Sequence, residues 1–370
     1  VPAAISRHGE HAPQGTTIDM QLANGQHDPE RQLLLEVFSG HGNSEEFRRE
    51  QTLGIGVPDD ELVCPEPTDD FLPCCWRAGE MMRARCGDLP ADECEARVEE
   101  AKRFALEAAT SPNLVFPDAP PEEWLDCDQC RDCFKPAFNL RAGMTAQYAT
   151  AITNPDDGAR FRFGFIASSD NHAGRPGTGY KQFARHGTTD VRGFTSPTLG
   201  RLVRPWALGE SDDPQRAQPV AREPQGFRDL LNKERAASFL YPGGLVAVHA
   251  DARDRDAIWQ ALERKEVYGT SGPRILLWFD LLNGPGGARV PMGGDAALVP
   301  GRDVPRFEVR AIGSFVQKPG CDAGTVSALG GDELERLCLG ECYHPSDRRH
   351  RIEAIEVVRI RPQRDPGEDV

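Results

Sequence analysis

Eight cysteines lie between residues 64 and 133: Cys64, Cys74, Cys75, Cys86, Cys94, Cys127, Cys130 and Cys133. No other feature restricts the chain so strongly, because every covalent or metal-mediated link among them removes most conformations open to that stretch. Three chemistries compete for them. Cys127-x-x-Cys130-x-x-Cys133 hints at an iron–sulfur cluster, but that signature wants a fourth cysteine about three residues on, followed by proline. Here Pro136 arrives without one. Zinc would want other ligands, and no histidine occurs between His41 and His172. An even number of crowded cysteines in a Pro- and acid-rich segment fits disulfides best, with zinc and free thiols as the alternatives. Disulfides imply an oxidising compartment, the periplasm or the cell exterior. The other three, Cys321, Cys338 and Cys342, are odd in number, so one is expected to pair beyond residue 370.

The same segment carries helical spacing. Cys94, Val98, Ala101, Ala105 and Ala108 recur on one face, with Asp92 as the expected N-cap.

A different pattern surrounds it. The run RFRFGFIASS at 160–169 is β-prone, and the glycines and Pro176 that follow cannot continue a strand. Asp170 and His172 therefore stand where a strand ends, which is where α/β folds bind ligands. A carboxylate and an imidazole so placed suit a hard or borderline metal ion; taken alone they also suit a capped turn. His8 follows the short apolar run of VPAAIS, and His41 follows the apolar residues 33–38 and the break Ser39-Gly40. Glu36 lies inside that second run, and a carboxylate in a buried strand needs a cation or a hydrogen-bond network. Strand ends that converge with histidines and carboxylates are what a barrel produces.

Taken together, HDPERQLLLEVFSGHGNSEEFR, CWRAGE, QCRDCFKPAFN, FGFIASSDNHAGRPGTGYK and GGLVAVHADARDRDAIWQALERKEVYGTSGPRI resemble domain-of-unknown-function family 3604 over nearly the whole chain. That family is similar to the PHP (polymerase and histidinol phosphatase) metal-dependent phosphoesterases. The resemblance implies an α/β fold, a distorted β/α barrel holding two or three divalent ions (Zn, Mn or Fe). It implies Asp170 and His172 as the late D-x-H ligands, His8 and His41 as isolated histidine ligands, and Glu36 as a carboxylate ligand. The family's early H-x-H has no counterpart here; His8-Gly-Glu-His11 has a different spacing. The expectation is that the first barrel strands lie upstream of Val1.

The organisation expected is residues 1–55 in the barrel, 56–160 as a cysteine-rich helical insertion, 161–275 as the rest of the barrel, and 276–370 as an antiparallel β region. GGLVAVHA reads as a buried strand ending at His249, a structural or metal-supporting histidine rather than a ligand. DRDAIWQALERKEVYG reads as a helix with Ile258 and Leu262 inward. Residues 185–235 read as an irregular excursion lining a cleft. RILLWFDLL, RFEVRAI and IEAIEVVRIRP read as strands.

Composition narrows the partners. A formal net charge of −15 argues against a nucleic-acid backbone, but not against a small anionic, phosphorylated substrate neutralised locally by metals and arginines. No apolar run is long enough to span a membrane. A homo-oligomer is compatible with everything above. Two readings remain. One is a metal-dependent hydrolase of phosphoesters, in which Asp170 and His172 act with Arg175 or Lys181 as an anion clamp. The other is a non-catalytic extracellular structural or binding protein, self-assembling in one form, on a degenerate barrel.

Overall fold

Helical periodicity and cysteine spacing act together in the segment from Cys74 to Cys127. In the computed structural model of the chain, described over residues 18–23, 27–40, 42–45, 63–69, 71–108, 111–128, 145–170, 181–184, 189, 198, 213, 215–220, 236, 243–299, 304–365 and 368, this segment is a tightly crossed helix pair. After a short helix α1 (Ile18–Ala23) come the strands β1 (Leu34–Ser39) and β2 (Gly42–Asn43), then α2 (Cys74–Arg85) and α3 (Ala91–Ala108). Val98, Ala101, Ala105 and Ala108 are buried as their spacing predicts, and Phe104 joins them. They pack on Cys74, Cys75, Ala78, Met81 and Met82 of α2 and on Val115, Phe116 and Trp124, which lie on two 3₁₀ turns and the link between them.

Three disulfides tie this core. Cys64–Cys75, Cys74–Cys127 and Cys86–Cys94 have Cα separations of 5.9, 4.8 and 5.6 Å, all within the span a disulfide tolerates. Cys130 and Cys133 lie outside the described residues. Asp92 is not the cap expected of it: α3 already begins at Ala91, the Pro90 carbonyl accepts the Cys94 N–H at 2.9 Å, and Asp92 sits in the first turn. Its charge still favours the positive end of the helix dipole. Part of the expected excursion packs here too. Ala217 is buried in the helical core, and the Gln218 N–H donates to the Val115 carbonyl at 2.9 Å.

The polar strand end is built by β1 and β3 (Gly164–Ala167), which pair in parallel although more than a hundred residues separate them. Between them in sequence lies α4 (Ala146–Ala151), capped by Thr145, whose Oγ1 accepts the Tyr148 N–H. The hydrophobic cluster of Leu22, Ala149, Ile152 and Phe161 joins α1 to this region, and the His27 ring meets Phe161 edge-on at 4.6 Å.

Strand β4 (Leu245–Val248), helix α5 (Arg255–Glu263) and strand β5 (Val267–Thr270) follow, with β4 and β5 antiparallel. Asp254 caps α5 by accepting the Ala257 N–H at 2.9 Å. The buried face of α5 is centred on Ala261, with Leu262 half-buried; Ile258 is exposed at 38%, contrary to the inward position its spacing suggests. The helix has nine residues, and Ala261 is its one buried position. β5 lies hard against β3: a Cβ on Gly269 would sit 2.9 Å from Ala167 N and Ile166 C, so only glycine permits the approach.

Beyond Arg274 the chain forms two antiparallel pairs. β6 (Leu276–Leu281) pairs with β7 (Phe307–Ile312), and β8 (Phe315–Gln317) with β9 (Pro345–Arg349). Helices α6 (Ala323–Leu329) and α7 (Gly331–Cys338), which the sequence reading did not anticipate, lie between β8 and β9. The segment IEAIEVVRIRP is not a strand. Residues 351–363 find no ladder partner among the described residues, and Ile355, Val357 and Val358 are exposed. β propensity is expressed only where a neighbouring strand offers its edge. Among the described residues the strands make four small sheets and no closed ring, and no helix is long and apolar enough to cross a membrane.

Candidate functional site: a carboxylate pair at the ends of two parallel strands

The register of β1 against β3 contains an irregularity that shapes the site. Leu34, Leu35 and Glu36 pair with Gly164, Phe165 and Ile166, but Phe38, not Val37, pairs with Ala167. One extra residue on β1 reverses which side its later side chains face. Before the bulge Glu36 shares a face with Ile166. After it, Ser39 rather than Phe38 shares that face with Ser168, while Phe38 turns the other way and packs against the helical core.

The hydrogen bonds agree with this geometry. The Ser168 hydroxyl donates to Glu36 Oε1 in a very short contact, and the Ser39 hydroxyl donates to Asp170 Oδ2 at 3.3 Å. The Asp170 N–H in turn donates to Ser168 Oγ at 3.2 Å. Two carboxylates from sequence-distant strands thus stand on one face, linked by two serines. Ser39 is 5% exposed.

The backbone holds this end closed. Gly40 N donates to Ser169 O at 3.2 Å, Ser168 N to Phe38 O at 3.0 Å, and Gly244 N to Ser168 O at 2.6 Å. A Cβ on Gly40 would come within 2.2 Å of Ser169 O, so the position admits no side chain. Asp170 has φ of 49°, in the left-handed region that aspartate tolerates better than most residues. Ser168, not Asp170, caps the turn, and the Asp170 carboxylate is directed toward Ser39. Nearby, Glu45 fixes the start of α4: its Oε1 accepts the Ala146 N–H at 2.7 Å and the Ser44 hydroxyl at 2.9 Å.

Of the residues singled out in the sequence, Glu36 and Asp170 are brought together on this face. His8, His41, His172 and Arg175 lie outside the described residues. His249 ends β4, as expected, and its Nε2 lies 2.9 Å from the Leu277 carbonyl, with the ring against Tyr268 and Trp278. Lys181 does not offer its charge to an anion. It is 7% exposed, its Nζ donates to the Glu341 carbonyl, and burial lowers its pKa from the usual lysine value against the raising effect of nearby Cys338 and Glu341.

Glu341 was not anticipated from the sequence. Its carboxylate accepts the backbone N–H groups of Gln182 at 2.7 Å, Phe183 at 3.2 Å and Ala184 at 2.7 Å. Nothing in ECYHP at 341–345 signals that role. In the sequence Ser39 reads as part of the Ser39-Gly40 break and Ser168 as the end of a β-prone run, and neither is marked as the partner of a carboxylate. Among the described residues one group of three potential metal donors stands together, Cys321, Cys338 and Cys342, with Cys321 and Cys342 disulfide-bonded.

The carboxylates suit hard or borderline divalent cations by donor chemistry. Glu36 lies on β1 and Asp170 three residues past the end of β3, so the sheet fixes the backbone that carries both sets of oxygen donors.

Comparison with known proteins finds no match among curated proteins and none among solved structures. Residues 137–280, which carry β3, Asp170, β4, α5 and β5, match the family described as Protein of unknown function (DUF3604).

Proposed function

We propose that the protein is a metal-dependent hydrolase acting on phosphoester bonds of a small anionic substrate, on a PHP-like β/α barrel, in the periplasm or outside the cell. The observation that carries it is the convergence of Glu36 and Asp170 on one face at the ends of two parallel strands, held by Ser39 and Ser168. Two carboxylates on one face disfavour each other's charged form, and a shared cation removes that cost. Asp170 and Glu36 would hold the ions together with His172, His41 and His8. Bound divalent ions would bring the pKa of a coordinated water to about 7 and neutralise charge on a phosphoryl oxygen. Ser39 and Ser168 orient the carboxylates, the role that outer hydrogen bonds play around metal ligands. Arg175 would meet the substrate anion. The four disulfides among the described residues fit a secreted protein.

The disulfide-braced helical unit favours a second reading, a binding or assembly role without catalysis. Elemental analysis of protein purified without chelator separates the two. The hydrolase reading expects two or more divalent transition ions per chain, with Asp170→Ala and His172→Ala together removing at least one, and turnover of an aryl phosphate ester that falls with them. Absence of stoichiometric metal in the unmodified protein sinks it.

A further inference from the structure

Residues 181–184 are held beside a three-cysteine centre. Cys321 and Cys342 form a disulfide whose partners lie 21 residues apart in sequence. Cys338, the last residue of α7, keeps a free thiol and is half-exposed. Its Sγ lies 4.0 Å from Cys342 Sγ, and all three sulfurs lie within 4.8 Å of one another. The thiol therefore flanks the disulfide, held there by its hydrogen bond to the Leu334 carbonyl at 3.2 Å.

Glu341 stands between Cys338 and Cys342 in sequence. Through it, the centre grips residues 182–184 by three backbone N–H groups and Lys181 by its ammonium. Lys181 follows directly on the stretch 171–180 that carries His172 and Arg175. Leu339 caps the C-terminus of α7 in the left-handed conformation, with φ of 53° and ψ of 38°, and Gly340 also has positive φ, at 66°. The backbone thus makes a sharp bend between the two sulfurs.

We propose that Cys321, Cys338 and Cys342 form a thiol–disulfide exchange centre that sets the grip of Glu341 on residues 181–184. In the exchange the Cys338 thiolate attacks Cys342 Sγ. The Cys338–Cys342 bond forms, the Cys321–Cys342 bond breaks, and Cys321 leaves as the thiolate, taking up the proton that Cys338 gave to solvent. No net oxidation occurs, so no further reactant is needed. In the first isomer Glu341 belongs to a loop anchored to the start of α6; in the second it belongs to a small ring closed onto the end of α7. The two rings place the Glu341 carboxylate differently against the three N–H groups it accepts. This inference does not depend on the hydrolase reading.

The test uses the full chain in glutathione buffers of graded ratio, trapped with an alkylating reagent and cleaved by trypsin. Cys338 and Cys342 share the tryptic peptide 337–348, whereas Cys321 lies in 311–336. A bond between the two peptides with label on Cys338 marks one isomer. An internal bond in 337–348 with label on Cys321 marks the other. Both isomers are expected, with loss of amide protection at 182–184 as the internal bond gains. Cys338→Ser is expected to fix the first isomer and Cys321→Ser the second, giving the two protection patterns separately. The Cys321–Cys342 bond alone at every ratio overturns the exchange. Equal protection of 182–184 in the two variants overturns the link to Glu341.

Discussion

The bond Cys74–Cys127 should stabilise the helical unit more than Cys86–Cys94, by an amount that loop length fixes. Removing a disulfide returns loop-closure entropy to the unfolded chain. With a separation of 53 residues for Cys74–Cys127 and 8 for Cys86–Cys94, the chain-entropy relation gives about 4 kcal/mol for the first and about 2.5 kcal/mol for the second. The difference expected between Cys74→Ala/Cys127→Ala and Cys86→Ala/Cys94→Ala is about 1.7 kcal/mol. Packing acts in the same direction, because Cys74 and Cys127 are 1% and 0% exposed whereas Cys94 is half-buried. Urea unfolding of the oxidised chain, followed by the fluorescence of buried Trp124, reads both variants against the parent. Trp124 lies in the same core as Cys127. An equal or reversed ranking, with unchanged denaturant slopes, would refute the loop-length argument.

Other outcomes follow from single contacts. Gly40→Ala forces a Cβ against Ser169 O, and the overlap should cost about 3 kcal/mol in thermal or urea unfolding; a neutral result would show that the strand end can open. Phe116→Ala empties the space beside Trp124, 6.0 Å between ring centroids, and should cost about 3–5 kcal/mol by the same assay, with a shifted Trp124 emission. A hydrogen bond from the Arg361 guanidinium, helped by the Arg364 N–H, lowers the Glu368 pKa from 4.5 to about 2. Because the folded value lies below the unfolded one, this contact is complete above pH 4.5 and is lost as pH falls through about 2. A carbon-detected NMR titration of Glu368 with a midpoint near 4.5 would contradict it.

What was legible in the sequence was what depends on local periodicity and on covalent pairing. The face Val98, Ala101, Ala105 and Ala108 is buried because three- and four-residue spacing leaves a helix no other way to hide it. The crowding of Cys64 to Cys127 announced disulfides but not partners, since connectivity depends on which helices cross. The strand-end position of Asp170 could be read from the glycines that follow it. That Glu36 would join it through Ser168 could not, because a bulge leaves no mark in a run such as LLEVFS. IEAIEVVRIRP misled because alternation describes a strand's faces and not its edges; without a neighbour the pattern stays extended and exposed. Glu341 was invisible because its partners are backbone N–H groups, which every residue except proline supplies.

The bulge at Val37 makes the polar face a matter of parity. Glu36 and Ser39 are three apart, an odd interval, and an unbroken strand would send them to opposite sides of the sheet. Deleting Val37 would leave Glu36 and Ser39 two apart, an even interval, so an unbroken strand would keep both on the face of Ser168 and still set Phe38 opposite Ala167. The bulge would go and the polar face would stay. Losing Phe38 as well would make the interval odd with no extra residue to correct it, and Ser39 would turn to the opposite side of the sheet. Substitutions around the site can therefore be graded by chemistry, but insertions and deletions between Glu36 and Ser39 are graded by whether the strand can absorb them in a bulge. The arrangement is sensitive to count before it is sensitive to identity.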